Sequence, residues 1–327
     1  MISLHHLAGS IRKRARSINR RVREFTETVL AYRRDAKVLG TYVIPLLEKH
    51  KNGATGRIHP DWKQMVDTGR MACRNPNLQN IPSKGDWARI REVFVAAPGH
   101  KLVVADYSQM ELRILAQLSQ ESRMLEAFQK GEDLHAKTAE ALFGEGWTKE
   151  QRALAKTINF GIAYGAGPST LAEAADIPIR QAQALLQKYF QTYPKLKEYL
   201  DRSARHAQDY CFAATPAGRK RWFTRPNPEA ENYRQQLGAI GREGCNAPIQ
   251  GCNADATKIA SAKFDRVKAA STQILLWVHD EIVVQARDDM AKVESAWLKQ
   301  CMIEAGKLYL PDVPCEVSIT IGDRWTK

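Results

Sequence analysis

The stretch KLVVADYSQMELRILAQLS, residues 101–119, decides how this chain is read. Leu102, Val103 and Val104 form a short apolar run of strand type. Asp106 stands where the run ends, and from Met110 to Leu118 apolar residues recur at helical spacing. A carboxylate is therefore offered at the end of a strand, with Tyr107, Gln109 and Glu111 beside it. Taken alone, the stretch fits two readings equally. It is a strand-to-helix turn whose Asp caps the helix, or it presents an acid for chemistry outside the sheet.

A second stretch, QILLWVHDEIVVQA at residues 273–286, bears on that choice. Two apolar runs flank His279, Asp280 and Glu281, the pattern of a tight β-hairpin with an acidic tip. An Asp in a hairpin turn is ordinary, but adjacent acids on so apolar a hairpin need a cation or solvent to relieve them. The third stretch is QRALAKTINFGIAYGAG, residues 151–167, in which Arg152, Lys156, Phe160 and Tyr164 are spaced by four. Such spacing puts them on one broad face of a helix, while Leu154, Ile158 and Ile162 supply the core side. Two cations and two flat rings suit a nucleoside triphosphate. The plainer alternative is a basic stripe merging into a packed aromatic end.

Around these stretches the chain reads as follows. Apolar positions from Phe25 to Leu47 predict an amphipathic helix, bent or ended near Gly40 to Pro45. After the turn cluster KNGATG, residues 57–82 are rich in amide and basic side chains. Arg70, Asn75, Asn77, Gln79 and Asn80 suit phosphate, sugar and minor-groove acceptors, and equally suit plain turns. A helix is expected from near Asp133, with His135 in its first turn, and two more meet near Thr192 to Pro194. Residues 215–228 read as a basic turn or hairpin. Residues 229–258 read as largely helical, with a polar interruption at Asn246, Pro248, Gln250 and Gly251. Arg242, Asn246 and Gln250 repeat every four residues, as along a nucleic-acid groove or a solvated face. A helix and a strand of period two close the chain. This order predicts an α+β fold: an antiparallel sheet bearing the acids, with a helical middle inserted.

Composition narrows the function. A net charge of +13 on 327 residues favours a polyanionic partner, nucleic acid first. Seven basic residues and no acid lie between Arg12 and Arg23, which predicts a phosphate-tracking element. Six cysteines without a CxxC pair predict reduced, buried thiols. No apolar run approaches the roughly 20 residues of a membrane helix, and the start reverses the order of a secretory signal. The expectation is a cytoplasmic protein, at the nucleoid or in a host cytoplasm if phage-encoded, with no membrane partner.

Six segments, TGRMACRNPNLQNIP, VVADYSQMELRILA, EDLHAKTAEALFG, RALAKTINFGIAYG, NAPIQG and VHDEIV, follow one another at plausible separations. Together they resemble the polymerase region of the DNA polymerase I family (family A), over roughly residues 25–327. The resemblance implies a right-hand polymerase fold. The palm would comprise residues 51–125 and 241–327 and the fingers residues 126–240. Residues 1–50 would hold a basic segment and a reduced thumb helix, without an exonuclease domain and so without proofreading. It further implies a template-directed DNA polymerase, a nucleotidyltransferase using dNTPs and primer-template DNA.

In that family pattern Asp106, Asp280 and the Tyr107 carbonyl would hold two Mg2+ ions, with Glu281 close by. One ion would activate the primer 3′-hydroxyl and the other would stabilise the leaving pyrophosphate. Arg152 and Lys156 would grip the triphosphate, Lys156 protonating pyrophosphate and His135 assisting. Gln109 would also belong to the nucleotide site. Phe160 would lie against the sugar and Tyr164 near the templating base, while Glu111 would exclude a ribose 2′-hydroxyl. Arg70, Gln79, Asn80, Arg242, Asn246, Gln250 and His279 would contact DNA. The short region before Gly56 leaves room for a separate protein supplying thumb, exonuclease or processivity function. A phage-type RNA polymerase and a non-catalytic or split-polymerase subunit are the competing readings, and Glu111 speaks against the first.

Overall fold

The computed structural model describes residues 20–64, 66–83 and 85–326. Most of the basic start, residues 12–19, lies outside them. The chain divides into two compact units, one of residues 1–62 and 72–90, the other of residues 63–71 and 91–327.

In the first unit, helix α1 (Arg20–Val38) carries on through π-helical turns at Leu39–Val43 and Leu46–His50. The expected bend or end near Gly40 to Pro45 is thus a widening of the helix. Pro45 has no amide to donate, and the turns on either side of it adopt the longer-reach pattern. Within this unit Tyr42 donates its hydroxyl to the Asn80 carbonyl at 2.6 Å, and Trp87 Nε1 donates to Asp35 at 3.0 Å.

The second unit is built on a four-stranded antiparallel sheet. Strand β1 (His100–Tyr107) is followed by helices α2 (Met110–Ser119), α3 (Ser122–Gln129), α4 (Leu134–Phe143), α5 (Lys149–Ala163), α6 (Pro168–Ala174), α7 (Ile179–Thr192) and α8 (Pro194–Tyr210). A small ribbon, β2 (Phe212–Ala214) and β3 (Lys220–Trp222), leads to the 35-residue α9 (Tyr233–Val267). The hairpin β4 (Gln273–Val278) and β5 (Glu281–Arg287), helix α10 (Ala291–Lys307) and strand β6 (Val317–Gly322) complete it. The sheet order is β4-β5-β1-β6.

Strand β1 is central and buried on both faces, Leu102 through Ala105 being at most 3% exposed. That explains its unbroken apolar run, since alternation is expected only when one face meets water. One apolar core joins it to α2, α5, α7, α9 and α10. The α+β expectation, the hairpin, the basic ribbon and the helix break at Tyr193-Pro194 all correspond to observed elements. The six cysteines are free and buried. No helix among the described residues is long and apolar enough to cross a membrane.

One expectation fails. Helix α9 runs through Asn246, Pro248 and Gly251 without a break. Residues Ala247, Pro248 and Ile249 are buried, and α9 packs along α8 and α10, so burial of this segment outweighs the lost amide of one proline. Helices α8 and α9 approach closely at Gly241 and Gly244. A Cβ on Gly244 would run into the Cβ of Ala207, and one on Gly241 would lie 2.8 Å from Gln208 Nε2.

Gly244→Ala therefore sets a helix-propensity gain of about 1 kcal/mol against an overpacking cost of about 1–3 kcal/mol. The expected result is a lower midpoint of thermal unfolding, partly restored by adding Ala207→Gly. A raised midpoint in the single variant would contradict the close approach.

Candidate active site

Antiparallel pairing sets Asp106 opposite Glu281 across β1 and β5, and opposite Ser318 on β6. The Tyr107 amide then donates to the Asp280 carbonyl at 3.3 Å, joining the end of β1 to the hairpin turn. The turn consists of His279, exposed and at φ +61°, and Asp280. The Tyr107 ring is buried in the core and donates its hydroxyl to the Met302 carbonyl at 2.7 Å, and burial pushes that hydroxyl's pKa up. What Tyr107 contributes beside the acids is therefore its backbone.

Glu281 belongs to the strand rather than to the tip. It is 1% exposed, accepts from Trp325 Nε1 at 2.9 Å and lies 3.5 Å from Arg91 Nη1. The Arg91 guanidinium in turn stacks on the Trp325 ring, 4.3 Å from its centroid. Burial pulls Arg91 below its usual range, while the charges of Glu281 and Asp106 push back. A buried pair of this kind costs about 3–5 kcal/mol when one partner is removed, because the other charge is stranded. Sequence reasoning missed Arg91 and Trp325. Neither ARIREVF nor GDRW carries a periodicity that singles them out.

Glu111, on the first turn of α2, is buried and ion-paired with Arg70 Nη2. The Tyr164 hydroxyl, just past the end of α5, hydrogen-bonds the same carboxylate. Its pKa is pushed up first by burial, then by Glu111, with Asp280 adding to the rise and Arg70 opposing it. Arg70, Glu111, Tyr164 and Asp280 thus form one electrostatic neighbourhood. Arg70 follows Gly69, which has φ +77° and lies under Arg219. A Cβ at Gly69 would stand 2.8 Å from Arg219 Nε. Arg219 is itself held by Asp255 of α9, with Nε donating to Oδ1 at 2.7 Å. Gln109 sits at φ +53° before α2, its carbonyl accepting from the amides of Leu112 and Arg113.

The α5 face is assembled around Asp133. One oxygen of that carboxylate caps α4 by accepting from the His135 and Ala136 amides, at 2.9 and 3.3 Å. The other accepts from Arg152 Nε at 2.7 Å and from Nη2. Burial alone would raise the Asp133 carboxyl, but the Arg152 hydrogen bond and the two amides overcome it and hold it below the usual range. His135 is buried, with Nδ1 3.0 Å from Asn159 Nδ2 and its ring 5.5 Å from that of Phe160. Burial, aided by the charges of Lys156 and Arg152, lowers its pKa to about 4 against the pull of Asp133. The ring is neutral at neutral pH, so an Nδ1 that accepts from Asn159 leaves the proton on Nε2. Lys156 is exposed on the same helix.

Arg242 and Asn246 of α9 line a cleft of about 440 Å³ with Tyr164, Thr157, Gly161 and Glu243. Gln250 lies one turn farther along α9, half-buried. Gln79 and Asn80 belong to the first unit, in a 3-10 turn at Leu78–Asn80 capped by the Asn77 side chain, with Gln79 buried and Asn80 exposed. The metal question turns on donor chemistry. Among the described residues no three or more His, Cys, Asp or Glu side chains form a metal-holding group. What the strand end and the turn bring together is two carboxylates and a backbone, an oxygen-only set of the kind Mg2+ accepts when substrate and water complete the shell.

Comparison with known proteins bears on the chain as a whole. The model of DNA polymerase family A matches residues 13–327. The thermostable DNA polymerase I of Thermus thermophilus is 37% identical over 312 residues, 94% of this chain and 37% of that protein. DNA polymerase I of Caldicellulosiruptor bescii is 39% identical over 310 residues, 92% of this chain and 36% of the relative. The chain therefore spans a little over a third of the length of these curated relatives. Among solved structures, one described as the POL domain of Pol1 from M. smegmatis in complex with DNA primer-template and dNTP matches with a TM-score of 0.82. It is 36% identical and covers 90% of this chain and 52% of that one.

The depressed His135 value has a consequence for stability. Above pH 6.5 the folded and unfolded chains both carry a neutral ring, and its contribution is fully present. As pH falls from 6.5 to about 4, the unfolded chain takes up a proton that the folded one refuses, and about 3 kcal/mol is lost progressively. Denaturant unfolding of His135→Gln across this window should give a flatter pH dependence than wild type. Parallel curves would refute it.

Proposed function

This chain belongs to DNA polymerase family A, and from that premise we propose that it is a template-directed DNA polymerase. It would add deoxynucleoside monophosphates from dNTPs to a primer 3′-hydroxyl and release pyrophosphate. The observation that carries this reading is the Tyr107 to Asp280 hydrogen bond, which sets the Asp106 strand end against the Asp280 turn. The primer-template DNA and dNTP named with the M. smegmatis domain are proposed as the partners here too. In this reading residues 51–125 and 241–327 serve as palm and residues 126–240 as fingers, while residues 1–50 supply a basic segment and a reduced thumb helix.

Asp106, Asp280 and the Tyr107 carbonyl would hold two Mg2+ ions, with Glu281 supporting them through its place beside Asp106. When bound, Mg2+ supplies Lewis acidity toward the 3′-hydroxyl and the phosphates. The chain's own groups do the rest. Arg152 and Lys156 draw the triphosphate onto α5, and His135 donates its Nε2 proton in a hydrogen bond to a phosphate oxygen. The primer 3′-hydroxyl gives up its proton to solvent, its oxygen forms the bond to the α-phosphorus as the bond from that phosphorus to the bridging oxygen breaks, and Lys156 gives a proton to the departing pyrophosphate. Phe160 lies against the sugar and Gln109 completes the nucleotide site. Glu111, fixed by Arg70 and Tyr164, occupies the room a 2′-hydroxyl would need. Tyr164, Arg242, Asn246, Gln250 and His279, with Arg70 and the first unit's Gln79 and Asn80, contact template and primer.

Primer extension with Mg2+ tests this reading. Asp106→Ala and Asp280→Ala should each lower extension by about 10²- to 10³-fold or more while primer-template binding persists. An active Asp106→Ala enzyme, or an inactive wild-type chain, would overturn the reading. Glu111→Ala should raise ribonucleotide incorporation relative to deoxynucleotide by at least about tenfold. An unchanged ratio would remove Glu111 from sugar selection and reopen the RNA polymerase alternative.

A further inference from the structure

Where α8 ends and the β2-β3 ribbon begins, four rings stand in a row. His206 lies 4.8 Å from Tyr210 and 4.9 Å from Phe212, and Phe212 lies 5.2 Å from Trp222, centroid to centroid. Lys220 Nζ is over both ends of the last pair, 4.9 Å from the Phe212 centroid and 5.4 Å from that of Trp222. Tyr210 and Trp222 are 63% and 66% exposed. Rings of this size, clustered and left in water, forgo burial free energy that the fold could have used, which marks a contact surface.

Charge identifies the partner. Residues 202–225 contain six Arg or Lys and one acid, Asp209. Arg219 and Arg221 are committed to Asp255 and Glu243, while Lys220 remains exposed among the rings. Exposed rings interleaved with cations recognise bases by stacking and phosphates by charge, without regard to sequence. The ribbon is also continuous with the cleft on α9. Arg221 pairs with Glu243, and Glu243 lines that cleft beside Arg242, Asn246 and Tyr164.

We propose that His206, Tyr210, Phe212, Trp222 and Lys220 form a stacking platform for single-stranded DNA that engages the unpaired 5′ overhang of the template. The placement on template rests on the polymerase reading; the affinity for single strands does not. The platform is anchored by the ribbon pairing of Phe212 with Trp222 and by the buried neighbours Cys211 and Ala213, so its two exposed rings can be changed without opening the core.

The test is fluorescence anisotropy with labelled primer-templates carrying 5′ overhangs of about 2 and about 15 nucleotides, lengths below and within single-strand site sizes. Wild type should bind the longer overhang about tenfold more tightly. The Tyr210→Ala, Trp222→Ala double variant should lose most of that gain while binding the short overhang as wild type does and keeping its thermal midpoint. Tyr210→Phe with Trp222→Phe should retain it. A wild type indifferent to overhang length, or an Ala double variant with the full gain, would overturn the platform and leave the rings to a protein partner. Extension on the short-overhang template separates the two proposals, since it reports on the polymerase site without the rings.

Discussion

Two carboxylates held side by side repel, and each resists losing water. The strand end at Asp106 and the turn at Asp280 are nonetheless joined by a backbone hydrogen bond from the Tyr107 amide. Everything near that bond serves to make it tolerable. Strand β1 is fixed from both sides by β5 and β6 and from both faces by core, so its end cannot drift from the hairpin. Arg91, buried between Glu281 and the Trp325 ring, answers part of the negative charge from beneath.

How much of this was legible depends on the range of the interaction. Asp106, the Asp280 hairpin and the α5 face were readable because each is written in a local period: a run ending in an acid, two runs around a turn, a spacing of four. The helix start near Asp133 was readable too, from a local signal of the same reach. Its second role, holding Arg152 from 19 residues away, was not. Arg91 and Trp325 reach Glu281 from 190 and 44 residues away, and no periodicity encodes such meetings. Pro248 misled in the opposite direction, since a local rule favoured a break and burial against α8 and α10 overrode it. The same limit applies to Arg219, whose contact with Gly69 appears only once the ribbon is folded onto α9.

The two ways of handling charge differ around the site. Beneath the sheet, Glu281 and Arg91 are removed from water together and fixed by an indole, a rigid arrangement that keeps the strand in register. At α5 the cations stay nearer solvent, and the imidazole among them is kept neutral by burial. The first arrangement favours a fixed scaffold. The second leaves two cations within reach of solvent.

The Asp133 carboxylate gives that second arrangement a thermodynamic signature. Arg152 already has an anionic partner on two of its nitrogens, so a phosphate that engages that edge does not neutralise a bare cation but displaces a resident carboxylate. Under the proposed function, that encounter would be an exchange between anions. Its selectivity follows from what a phosphate offers beyond a carboxylate, a higher charge and more acceptor oxygens, and weak anions lose the contest. A guanidinium held in this way would yield only to an anion that binds it better than Asp133 does.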